Sequence, residues 1–369
     1  IKHVLYIIKE NRTYDQVFGD ITNAKGEHIG NGEPKLTMYG EKVTPNQHEL
    51  ARQYVLFDNL YCNGEVSVDG HSWCDAAIAT DANERSWIQS YSKHGNLPAN
   101  AEMETPTAGY LWDLCQRHGV SYRNYGEGAD KVPTSSRGKW GGGFRMRDMD
   151  KAKFWIEDLH AAERGEQELP QFTIMSLGEN HTQGTTPGAF APAACVASND
   201  VAVGRIIEAT SHSKYWNQMA IFIIEDDAQN GPDHVDAHRT AGLVISPWCK
   251  RQTVDSTFYT TASMVRTMEL ILGLPPLTQY DAGATPMFNA FTREAVETPF
   301  TPTEPKVNLL AKNTDRSPGA AQSSRMNFSD YDLAPEDELN HILWEEAKGP
   351  DAPYPTPIHG VLFTHPTEN

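Results

Sequence analysis

Residues 225–239, EDDAQNGPDHVDAHR, set three successive carboxylates, Glu225, Asp226 and Asp227, ahead of Asp233, His234, Asp236 and His238. Adjacent anions repel, and a buried cluster of this kind is normally held by a cation. With two histidines following, the natural partner is a divalent metal. Three acids alone would favour a solvated loop, but the apolar run AIFII in front of them and the histidines behind reverse that preference. His234 and His238 are four apart, as on a helix face, yet Pro232 marks a loop and the spacing carries no weight. Near the start of the chain, VLYII runs straight into KENRTYD, which delivers Glu10 and Asn11 side by side at the tip of an apolar strand. GENHTQGT adds His181, with Glu179 and Asn180 as either ligands or turn residues. A single loop histidine is usually a hydrogen-bonded surface group, and His181 gains weight only as a neighbour of the aspartates.

EVSVDGHSW holds the candidate nucleophile. Ser67 stands where a small-residue helix begins, and backbone N–H groups at a helix N-terminus can receive phosphate oxygens. A serine hydroxyl is a weak nucleophile at neutral pH unless a base or a metal lowers its pKa. A cation held by Glu10, Asn11, Asp226 and Asp227 would do so. An N-cap role is the alternative for Ser67, and Ser72 and Thr13 are rival hydroxyls. The chain carries no GxSxG elbow, P-loop or dinucleotide fingerprint, so serine-triad and nucleotide-fold chemistry are poorer readings.

These groups need a scaffold that gathers distant loops. Apolar strand-like runs occur at residues 4–8, 54–57, 171–175, 220–224 and 241–245, and helix-like stretches at 109–118, 154–163, 199–211 and 260–272. Continuous apolar strands spaced by amphipathic helices predict an α/β fold, a mostly parallel central sheet with helices on both faces. Ligands of such sheets bind beyond the carboxyl ends of the strands, and four of these runs end in segments rich in Glu, Asp, Asn, His or Ser. Residues 1–300 are expected to form the core. Residues 83–165, with their Trp and Gly clusters, are expected as an insertion near the site mouth, and the Pro-rich residues 301–369 as an extended strap or tail.

A net charge of −18 argues against gripping nucleic acid or an anionic membrane by charge alone. Nothing approaches the roughly 20 apolar residues of a membrane span. The chain starts inside an element, so a signal peptide or upstream domain is expected to have been removed or omitted. Of five cysteines, Cys62 and Cys74 flank a loop that a disulfide could close in an oxidising compartment; two buried thiols are the alternative.

The opening IKHVLYIIKENRTYDQVFG resembles the first motif of the phosphoesterase family that includes bacterial phospholipases C and acid phosphatases, within the alkaline phosphatase superfamily. AIFIIEDDAQNGPDHVDAHRTAGLVISP resembles its second metal motif, and the whole is similar to the phosphoesterase domain that follows YncE-like propellers in some bacteria. The resemblance runs from Ile1 to Met287. It implies an alkaline phosphatase-like fold, a periplasmic or secreted location, and a possible upstream propeller. It makes Glu10, Asn11, Asp226 and Asp227 metal ligands. Ser67 followed by His71 matches the spacing of the nucleophilic Thr and its His in nucleotide pyrophosphatases of that superfamily, which raises Ser67 above Ser72. His181, with His234 or His238, would complete a second metal or phosphate subsite. Leu177 stands where that subsite would have an Asp, so the count of ions is one or two.

The resulting expectation is metal-dependent hydrolysis of a small-molecule or lipid phosphate ester through a phosphoserine, with Zn, Mn, Ca or Mg bound. The alternatives are a phospholipase C-like phosphodiesterase and a non-catalytic metal-binding domain partnering a propeller. A sulfatase is disfavoured, because no Cys or Ser lies in a CxPxR setting.

Overall fold

Nine strands appear in the computed structural model, which describes residues 1–85, 101–128, 146–329 and 333–360. They are β1 (His3–Lys9), β2 (Val55–Phe57), β3 (Leu60–Tyr61), β4 (Tyr122–Tyr125), β5 (Phe172–Leu177), β6 (Met219–Glu225), β7 (Leu243–Ile245), β8 (Thr253–Asp255) and β9 (Tyr259–Thr260). The central sheet has the order β4-β5-β1-β6-β7, parallel except for β7, and is flanked by helices. The three inner strands are the longest apolar runs, and every residue of β5 and β6 is buried. A strand covered on both faces has no polar face, so it reads as a continuous apolar stretch.

Register decides where the chemistry falls. Lys9 pairs with both Leu177 and Glu225, so β1, β5 and β6 end level with one another. The residues just past those ends, Glu10-Asn11, the 178–181 turn and Asp226-Asp227, therefore emerge side by side. The helices Asp148–Glu163 and Pro192–Ser211 pack on each other, and the latter starts with Pro192 in its first turn, where the missing N–H costs nothing.

Several expectations need correction. The run 54–57 does not join the central sheet; β2 pairs with β8, and β3 with β9, in two small parallel ladders. The run 241–245 yields only the three residues of β7, and they run antiparallel to β6. Residues 83–165 are not simply an insertion. They supply the edge strand β4 and the helix Asp148–Glu163 to the core, while 86–100 and 129–145 lie outside the described residues. β4 reads YRNY, too polar to look like a core strand, because an edge strand has only one paired neighbour. The C-terminal strap is partly helical: Glu336–Lys348 buries Leu339, Ile342, Leu343 and Trp344. All five cysteines are buried thiols, so Cys62 and Cys74 are not bridged; Cys62 Sγ points at the Glu225 carbonyl at 3.4 Å. Among the described residues no helix is long and apolar enough to cross a membrane.

Candidate active site

The helix Ser67–Ala76 carries the serine to the tips of β1 and β6. It follows β3, whose chain is fastened to the loop after β6 by Thr240 N–H donating to Leu60 O (2.9 Å) and Cys62 N–H to His238 O (2.9 Å). Asp69 holds the helix start by accepting from the N–H groups of Glu65 (2.8 Å) and Val66 (2.9 Å). Gly70 lets the helix press on the acidic pair: a Cβ there would stand 2.7 Å from the backbone oxygen of Asp226. This close approach puts Ser67 Oγ, which is buried, 3.0 Å from Asp227 Oδ2, to which it donates.

One turn along the same helix face, His71 reaches the carboxylates. Its Nε2 lies 3.2 Å from Glu10 Oε1 and 3.4 Å from Asp226 Oδ2, and its Nδ1 lies 2.6 Å from Glu127 Oε1. Burial opposes the imidazolium, but the charges of Glu127 and Asp226 and hydrogen bonds to Glu10 and Glu127 push the His71 pKa well above its ordinary value. Asp226 is moved well upward too, by burial first, then by Asp227 and Glu10, with His71 opposing. Gly178 leaves room for Glu10, since a Cβ there would come within 2.5 Å of Glu10 Oε2.

Two observations test whether these residues fit a cation. Asn11 is buried, yet neither atom of its amide has a hydrogen-bond partner among the described residues. Among the described residues both oxygens of the fully buried Asp226 also lack a hydrogen bond, with His71 Nε2 standing 3.4 Å from Oδ2. Buried polar groups are nearly always satisfied, so such orphans gathered at one point mark a place for a ligand. Oxygens from a carboxamide and carboxylates, with an imidazole beside them, are the donor set of a divalent ion, and Glu10, His71 and Asp226 offer ligand atoms within 4.8 Å of one another. The residues fit the group.

Other sequence-predicted residues are placed elsewhere. Glu225, the first of the acidic triplet, is neutralised by buried Lys9 at 2.6 Å and accepts from Asn180 Nδ2 at 2.8 Å. Asn180 also accepts from Glu10 N–H at 2.9 Å, so it ties three strand tips together. Glu179 pairs with Arg147 and accepts from Asp148 N–H and Ser198 Oγ. His234 is placed away from this group: its Nδ1 lies 2.6 Å from Asp15, in a network where buried Arg239 bridges Asp15 and Asp233. His238 is likewise drawn away, to Asp236 (2.8 Å) and Glu65 (2.7 Å). Neither joins the Glu10, His71 and Asp226 group. The rival hydroxyls are engaged as well. Thr13 caps the helix Tyr14–Phe18 and donates to Pro232 O, while Ser72 donates to Val68 O and accepts from Asn83. Glu127 was not anticipated, since it follows the edge strand β4 in a stretch with no motif; its only signal is an acid after a strand.

His181 is buried beside this loop, with Nδ1 2.9 Å from Thr182 O and Nε2 3.4 Å from the Gln229 amide nitrogen. Burial brings its pKa from 6.5 down to about 4, the Arg12 charge acting the same way and the Thr182 hydrogen bond opposing. A folded pKa below the unfolded one means that the unfolded chain takes up the proton first as pH falls. The associated stability is whole above pH 6.5 and declines through pH 4. In the chelator-treated protein, urea unfolding should lose on the order of 3 kcal/mol over that window from this group, and His181→Gln should remove that part of the slope. Equal slopes in the two proteins would refute a neutral buried His181.

A cavity of about 300 Å³ opens beside the 178–182 turn, lined by Arg147, Glu179, Thr182, Gln183, Phe190 and Cys195 among others, but by none of Ser67, His71, Asp226 or Asp227. It is a neighbour of the site and not its centre.

Comparison with known proteins adds the following. The sequence profile of the Phosphoesterase family matches residues 27–275, a span that holds Ser67, His71, His181, Asp226 and Asp227 and begins after Glu10 and Asn11. No curated protein matches the chain. Among solved structures, the chain is similar to a protein in the alkaline phosphatase superfamily from Vibrio parahaemolyticus (17% identity, 77% of this chain and 69% of that one, TM-score 0.50). It is also similar to Ps i-CgsB (12% identity, 78% and 75%, TM-score 0.53) and to a 2-O GAG sulfatase (11% identity, 80% and 76%, TM-score 0.51). At these identities the likeness is one of fold, and the fold is alkaline phosphatase-like.

Proposed function

The chain belongs to the Phosphoesterase family and is a hydrolase acting on phosphoric ester bonds, and from that premise we propose that it cleaves its ester in two steps through Ser67, with a divalent cation at the strand tips. The observation that carries this reading is the hydrogen bond from Ser67 Oγ to Asp227, set beside the unsatisfied Asn11 and Asp226 atoms. Glu10, Asn11, Asp226 and Asp227 would hold the cation, with His71 adjoining. When bound, it supplies positive charge that lowers the serine pKa and offsets the phosphoryl oxygens.

The chain's own groups do the rest. Asp227 orients the Ser67 hydroxyl and takes its proton as Oγ bonds to phosphorus. The ester P–O bond breaks, and the departing alkoxide leaves with a proton from solvent or a site acid. Water then attacks phosphorus and restores the serine, releasing phosphate. The N-terminus of the Ser67–Ala76 helix faces this charge with its positive end. Glu127 fixes the orientation of His71, which stands between Glu10 and Asp226. His181, neutral and buried beside Gln229 of the loop after β6, is the remaining imidazole of the proposed subsite. With His234 held by Asp15 and His238 by Asp236 and Glu65, this reading places one ion at the catalytic centre.

Core residues 1–300 with a strap of 301–369, a periplasmic or secreted location and an upstream propeller remain part of this proposal on the strength of resemblance. The direct test is release of p-nitrophenol from p-nitrophenyl phosphate and from bis-p-nitrophenyl phosphate. Activity is expected on at least one, lost with chelator and restored by added metal. Preference for the diester would select the phospholipase C-like reading; no turnover of either with any of Zn, Mn, Ca or Mg would favour a non-catalytic domain.

A further inference from the structure

We propose that His238, His359 and Asp236, with Glu65 beside them, form a second divalent-cation site, of zinc-type imidazole and carboxylate chemistry, which fastens the C-terminal segment to the loop behind Asp227. Ligand atoms of Asp236, His238 and His359 lie within 4.8 Å of one another. Glu65, outside that group, would orient the imidazole, its Oε2 lying 2.7 Å from His238 Nε2. The other imidazole nitrogen, Nδ1, is 2.8 Å from Asp236 Oδ1. An imidazole with one nitrogen oriented by a carboxylate and the other turned to a second donor is the usual arrangement around a metal-bound histidine.

The backbone, and not only side-chain rotation, brings His359 here. Residues 358–360 run antiparallel along 235–237, with Ala237 N–H donating to Ile358 O at 2.7 Å and a β-bridge between Asp236 and His359. Gly360 permits the contact, since a Cβ there would meet Val235 O at 2.6 Å. The His238 and His359 rings then meet edge to face, with centroids 5.7 Å apart.

A comparison within the molecule shows what differs at this cluster. Asp15, Asp233 and His234 also offer three donors within reach of one another, but the guanidinium of Arg239 is already among them at 3.0–3.1 Å. That cluster has its cation. At the other, the positive charges acting on Glu65 are His238 and His359 themselves. Two imidazoles with a carboxylate suit Zn²⁺ better than Ca²⁺ or Mg²⁺, which prefer oxygen alone. A tetrahedral ion with bonds of about 2.0 Å sets its donors roughly 3.3 Å apart, so ligand atoms within 4.8 Å of one another can close on it by small side-chain turns, beside the Glu65 carboxylate. That side chain is 41% exposed and His238 is 30% exposed, which leaves the ion a path in. Glu65 lies two residues before Ser67, and its N–H is held by Asp69 at the start of the serine helix. An ion here would thus link the chain's C-terminal segment to the element that carries the nucleophile.

The site shares no residue with the catalytic group, so its test is a count of ions. Full-length chain stripped with chelator is loaded with Zn²⁺, dialysed and assayed for metal per chain, and Co²⁺ loading is followed by its visible tetrahedral absorption. Asp226→Asn should keep one ion, and adding His359→Ala to it should remove that ion and its Co²⁺ band. His359→Ala alone should weaken the second ion by more than the roughly 100-fold that an outer-shell change costs. Glu65→Gln, at an exposed side chain outside the core, serves as the second variant and should weaken the same ion. Equal metal content in Asp226→Asn with and without His359→Ala, or no ion in Asp226→Asn at all, would overturn the proposal.

Discussion

Ser67→Ala is expected to lower turnover by on the order of 10⁴-fold or more, the scale seen when a covalent nucleophile is removed, while the chain still folds and still binds metal. Folding should survive because the hydroxyl is not the cap of its helix. Val66 occupies the N-cap, and Asp69 satisfies the N–H groups of Glu65 and Val66. The stability lost is about 1 kcal/mol, the net worth of one hydrogen bond to Asp227. Metal binding should survive because Glu10, Asn11, Asp226 and Asp227 all remain. The decisive readouts are kcat on the preferred nitrophenyl ester, metal content, and acid-quenched enzyme assayed for phosphate on the Ser67 peptide, present in the wild type and absent in the variant. Turnover within tenfold of wild type would mean that water attacks directly and that Ser67 only packs the helix start against Asp227.

What the sequence made legible follows from how each residue earns its position. The inner strands were plain because burial on both faces forces unbroken apolar runs, and their level ends made the tips of β1, β5 and β6 a place where polar residues must meet. Glu10, Asn11, Asp226 and Asp227 stood out because a carboxylate after such a strand has nowhere apolar to go. Proximity in sequence misled beyond that. Glu225, His234 and His238 lie within a dozen residues of Asp227, but Lys9, Asp15 and Glu65, from remote parts of the chain, draw them off. No local pattern encodes those partners. Glu127 and β4 were missed for the opposite reason: an edge strand may be polar, and an acid beyond it is one of 49 Asp and Glu residues with nothing to single it out until the fold brings it to His71. The 54–57 run shows the limit of apolarity itself. It is as buried as a central strand, but its partner is β8, because a short run can be covered by a ladder of only two strands.

Asp226→Asn should reverse the order of stability between the metal-free and metal-loaded protein, and this is the second large effect. Without metal, Asp226 is a fully buried carboxylate beside Asp227 and Glu10, with His71 as the neighbouring counter-charge. Its folded pKa lies well above that of the unfolded chain, so the unfolded state loses the proton first as pH rises. An acid raised in this way penalises the fold increasingly above its unfolded pKa, near 3.9, and the penalty is in force at pH 7. Replacing it with a neutral isostere relieves the repulsion and should stabilise the metal-free chain by about 1–3 kcal/mol, the range in which buried charges cost more than their partners return. With metal, the same change removes an anionic ligand and, with it, the stabilisation that a tightly bound ion contributes, about 4 kcal/mol at a thousandfold excess over Kd. Urea midpoints with chelator should therefore rank the variant above the wild type, and midpoints in excess metal should rank it below, with turnover lost in the variant under both conditions. A variant less stable than wild type in chelator would mean that Asp226 is held by its ion pair with His71, as an ordinary structural acid, and the catalytic cation would have to be sought at another cluster.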